Sequence, residues 1–218
     1  MGHLSILGCL FMFLGGRIMN NKFVSIVIDK EEGSRFLVSD DNSINTVDLS
    51  NDKQTSIARI NIKDDVTTVC LYKNGESKGT ISLNIGKEQV KIDSNSNKIT
   101  YVDDNIRDLS RLYSIDIHEG ETIDVEKIKG LCKILANIMI TTAHLSDYSW
   151  GFSKMIINGK KSFEEDFSPS IIIFTGIAAK YIFNKNQDNV FEDGNIGMLL
   201  CQEINNYSES CIKRIYLK

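Results

Sequence analysis

The side chains most able to do chemistry are few and scattered. The five cysteines are Cys9, Cys70, Cys132, Cys201 and Cys211, and beyond Met19 the histidines are His118 and His144. A zinc site draws three or four ligands from closely spaced Cys and His. No two cysteines here form a C-x-x-C pair, and Asp116-Ile117-His118-Glu119 lies in a charged stretch ahead of a helix, where a solvated turn accounts for it. No metal is expected. His144 closes a long apolar helical pattern, where its ring favours the negative end of the helix dipole.

A nucleophile fares no better. There is no G-x-S-x-G elbow. Cys132 and His144 are twelve positions apart in one predicted helix, which places them roughly 18 Å apart along its axis at 1.5 Å per residue. Gly75-Glu76-Ser77-Lys78-Gly79-Thr80 has the composition of a phosphate loop without its order or its strand-to-helix setting. Gly194-Asn195-Ile196-Gly197 opens a helix, and helix N-termini attract anions; Gly194 and Gly197 are the anion-site candidates, with capping and close packing as the plainer role. The acidic pairs Asp40-Asp41, Asp64-Asp65 and Asp103-Asp104 and the run Glu164-Glu165-Asp166 all fall in predicted turns. No cofactor is implied.

The aromatic stretch Tyr148-Ser149-Trp150-Gly151-Phe152 holds the only tryptophan. Such residues cement layers of a core and also anchor interfaces. Tyr148, Trp150 and Phe152 are therefore the partner-contact candidates if the segment is exposed.

The elements that must position these residues divide the 218-residue chain in two. From Phe23 to about Val102 apolar and polar residues alternate: Ala58, Ile60 and Ile62 against Arg59, Asn61 and Lys63, then Ile81, Leu83 and Ile85 against Ser82 and Asn84. Period two marks strands with one wet face. Turn residues separate them, notably Asn74-Gly75 and Ser94-Asn95-Ser96-Asn97. After Asp103 the period lengthens. Ile106, Leu109 and Leu112 fit a short helix; Ile128, Leu131, Leu135 and Ile138 fit a long one, capped by Thr122 or Asp124. Asn158-Gly159 reads as a hairpin turn, Ser168-Pro169 as the start of a helix over the isoleucines that follow, and 195–207 as a further helix, with 211–218 as its continuation or a closing strand. Strands first and helices second predict an α+β protein: an antiparallel β meander (a small barrel or bent sheet) over 19–104, then a mainly helical region with one β-hairpin over 105–218.

Residues 1–18 stand apart. Leu4 to Leu14 has the apolar character of an export signal, but no Lys or Arg precedes it and it is too short to span a bilayer. Gly15-Gly16-Arg17-Ile18-Met19 can be encoded GGA-GGA-AGA-ATT-ATG, which contains a bacterial ribosome-binding sequence before a start codon. The expectation is that 1–18 is upstream-translated or leader sequence and that the protein starts at Met19.

Composition narrows the function classes. The net charge of -4, from 25 basic and 29 acidic residues, gives no surplus for binding a polyanion, so no nucleic-acid partner is expected. Scattered, odd-numbered cysteines suit a reducing compartment rather than a disulfide framework. The sequence points to a non-enzymatic, acidic, cytoplasmic protein of a low-GC bacterium or its phage that works by binding another protein in an accessory, immunity or regulatory role. Two other readings stand beside it: an enzyme whose carboxylates and hydroxyls assemble only in the fold, and a membrane-anchored protein using residues 1–18. A start at Met19 leaves no membrane partner.

Overall fold

The computed structural model describes residues 22–24, 35–40, 43–48, 56–73, 76–143, 154–158, 169, 171–175, 190–211 and 213–215. The centre of the fold is a meander. Strands β4 (Ser56–Ile62), β5 (Thr67–Lys73) and β6 (Glu76–Leu83) pair antiparallel. Register sets Ile60 opposite Val69 and Val69 opposite Ile81, so the alternation of each strand puts its apolar residues on one face. Ala58, Ile60, Ile62, Val69, Leu71, Ile81 and Leu83 are fully buried there, while Arg59, Asn61, Thr68 and Ser82 on the other face keep partial contact with solvent.

The sheet then becomes parallel. Strand β10 (Ile171–Thr175) lies beside β4, β1 (Lys22–Val24) beside β10, and β11 (Lys213–Ile215) beside β1, all parallel. Strand β9 (Ile156–Asn158) pairs with β6, giving, among the described residues, seven strands in the order β11-β1-β10-β4-β5-β6-β9. Two hairpins stand outside it: β2 (Arg35–Asp40) with β3 (Ser43–Asp48), and β7 (Val90–Asp93) with β8 (Lys98–Val102). Asn97 closes the second in the left-handed conformation at φ 51, which asparagine tolerates.

The α+β class expected from sequence holds, with one correction inside it. The isoleucine run after Pro169 is strand β10, not a helix. Ile172 and Phe174 are buried and the strand lies between two parallel neighbours. Such a strand reads as a continuous apolar run rather than an alternating one, and three consecutive isoleucines are stiff side chains that suit a pleated strand better than a helix. The closing strand β11 agrees with one of the two readings of 211–218. Asn158-Gly159 follows β9, whose partner is β6; Gly159 lies outside the described residues.

Three helices are described. In α1 (Asp104–Leu112) Asp103 caps the N-terminus, its carboxylate accepting from Asn105 N at 2.9 Å. Ile106 and Leu109 are buried, whereas Leu112, expected on the core face, is 49% exposed. In α2 (Val125–Ala143) the cap is Asp124, whose Oδ1 accepts from Glu126 N at 3.1 Å and Lys127 N at 3.3 Å. Its second half is buried almost all round, as a helix laid on the apolar face of β4 and β5 with a second helix across it requires. That second helix is α3 (Gly197–Cys211). One continuous apolar cluster joins sheet, helices and the β7–β8 hairpin.

Candidate functional site

Strands β4, β6 and β10 run in one direction, so their carboxyl ends lie together. Ligands of open sheets bind beyond such ends, where loops from neighbouring strands form a crevice. Here the loop after β4 carries Lys63, Asp64 and Asp65, and the loop after β6 runs from Asn84 to Gln89. They are sewn together by backbone: Lys87 N donates to Lys63 O at 3.1 Å and Glu88 N to Asp64 O at 2.8 Å. Gln89, only 3% exposed, ties the join from within. Its Oε1 accepts from Gly86 N at 3.0 Å, and its Nε2 donates to Asp65 O at 3.2 Å and Asn84 Oδ1 at 2.8 Å.

Lys87 Nζ stands between two carboxylates, 3.1 Å from Asp64 Oδ1 and 3.2 Å from Glu88 Oε1. Burial disfavours its charge, but the two carboxylates outweigh that and hold its pKa above the usual lysine value. The start of α3 abuts the same loop: a Cβ on Gly197 would stand 2.7 Å from Lys87 Cβ. Asn195, 5% exposed, caps this helix, its Oδ1 accepting from Gly197 N at 2.8 Å. Gly194 turns at φ 67, its carbonyl accepting from Ile92 N at 2.8 Å.

Of the two anion candidates, Gly197 thus lies against Lys87, a lysine that the sequence did not associate with it, while Gly194 lies against Ile92. Any anion entering would compete with Asp64 and Glu88 for that lysine and with Asn195 for the helix N–H. On the face of β4 opposite its buried isoleucines, Asn61 Oδ1 is buried without a hydrogen-bond donor among the described residues. The chemistry on offer is therefore mainly hydrogen-bond acceptance.

The second feature is the edge of the sheet. Strand β9 ends the described strand order. Met155 O accepts from Asn84 N at 2.7 Å, which fixes the entry to β9, and Ile157 turns outward at 60% exposure. Beside it a recess of about 250 Å³ is lined by Asn105, Asp108, Leu109, Leu112, Lys154 and Met155. Its floor is apolar, Leu109 and Met155 being buried. Sequence reading missed this place because periodicity assigned Leu112 inward and treated Ile157 only as a hairpin arm.

Of Cys70, Cys132 and Cys201, the first, on β5, is partly buried and the other two are closed to solvent. Cys132 and Cys201 are fully buried between α2 and α3, and burial pushes both thiols upward, so both stay protonated. Thiolates, not thiols, are nucleophiles. His118 Nε2 lies 2.9 Å from Asp116 Oδ1 on the surface. Among the described residues no three His, Cys, Asp or Glu side chains converge as metal ligands, and no helix is long and apolar enough to cross a membrane. Tyr148, Trp150, Phe152 and His144 lie outside the described residues.

The family model for the ethanolamine utilisation protein EutA matches residues 42–215, from β3 through the sheet and all three helices to β11. The chain belongs to the EutA family. No curated protein and no solved structure matches it.

Proposed function

We propose that this protein is a cytoplasmic accessory protein of ethanolamine utilisation that acts by binding another protein, with the sheet edge at β9 and the recess beside α1 as its contact. The carrying observation is Ile157, a large apolar side chain 60% exposed on the strand that is the edge among the described residues, next to an apolar-floored recess rimmed by Asn105, Asp108 and Lys154. Edge strands accept further strands unless they are blunted, and an extended segment that adds to a sheet edge takes its specificity from side-chain pockets beside it. The burial of Cys132 and Cys201 and the engagement of Asp103, Asp124, Asp64 and Glu88 in caps and ion pairs support a binding role over catalysis.

A photocrosslinking amino acid at position 157, and at the exposed Glu76 as control, tests this in the native host grown on ethanolamine. One dominant adduct with a protein of the ethanolamine system, at 157 and not at 76, is the expected result. Equal labelling at both positions, or none at 157, overturns it.

A second reading has its own observation. Asn61 Oδ1, an acceptor without a donor among the described residues at the carboxyl end of β4, suits a small ligand rich in N–H or O–H groups, such as a protonated amino alcohol. Calorimetric titration with ethanolamine, lost in Asn61→Ala, would carry that reading; no heat above dilution removes it.

A further inference from the structure

We draw no further inference here: the strongest candidate, the apolar recess between α1 and the edge strand β9, belongs to the site already described, and nothing in the structure shows which segment covers it.

Discussion

The backbone carbonyl of Asp64 occupies the space that a side chain on Gly86 would need, and the carbonyl carbon of Asp65 is 2.6 Å from the same point. The obstacle is main chain on a loop held by Glu88 N and Gln89 Nε2, so it cannot swing aside as a flexible side chain would. Gly86→Ala should cost about 2–3 kcal/mol, at the upper end of overpacking penalties, read as a lower urea midpoint. An unchanged midpoint would mean that the two loops are not locked together.

Gln89 makes three hydrogen bonds through one buried side chain. Gln89→Leu keeps the volume but leaves Gly86 N without its acceptor and two oxygens without their donor. An unsatisfied buried group costs about 1–3 kcal/mol, so a loss of at least about 2 kcal/mol is expected in chemical denaturation.

Glu203 is 3% exposed on α3 against α2. Burial raises its pKa; Lys133 and Lys129, and a hydrogen bond donated by Asn206 Nδ2 at 3.3 Å, pull it back without cancelling the rise. A carboxyl raised in the folded state binds its proton more tightly there than in the unfolded chain. Its contribution is therefore complete below the unfolded glutamate value near about 4.3 and is lost as pH climbs through the raised folded value. Glu203→Gln should remove this dependence: the stability of the variant relative to wild type rises from pH 4 to pH 7, measured by denaturant titration at each pH. A flat difference across that range would place the carboxylate in contact with water.

Asn195 both caps α3 and fills the N–H that an anion would use. Asn195→Ala should cost about 1 kcal/mol, the usual loss of a cap, seen as a lower melting temperature. If Gly194 and Gly197 frame an anion site, phosphate will restore more stability to the variant than to wild type. Equal responses to phosphate count against such a site.

Leu112 and Ile157 are exposed enough that polar replacements should leave stability within about 0.5 kcal/mol. Leu112→Ser and Ile157→Asp should nonetheless lose a partner that wild type retains through gentle purification, read by intact mass of the eluate. Retention of that partner by both variants would locate its contact elsewhere.

The parts of the fold legible in sequence were those with a local signature. The alternation in β4 and β6 and the caps at Asp103 and Asp124 each depend on residues only a few positions apart. Strand β10 reads as a helix in sequence because its neighbours, β1 on one side and β4 on the other, are distant in the chain, and its run of three isoleucines lacks the alternation that marks β4 and β6. The candidate site was half legible for the same reason. Gly194 and Gly197 announce a helix start, but Lys87 meets Gly197 only after the sheet has brought two loops together. Leu112 obeys helical spacing and still faces water, because the face it occupies ends at the margin of the sheet.

The insertion of β10 between β1 and β4 has a consequence during synthesis. The β4–β5–β6 meander can form as soon as residues 56–83 have left the ribosome, but the flank of β4 that β10 covers stays open until Ile171–Thr175 emerges, about a hundred residues later. At about 5–20 residues per second, that is an interval of roughly 5–20 seconds. For that time the nascent chain presents one unpaired edge of an isoleucine-rich strand, and chaperone occupancy during translation should peak there.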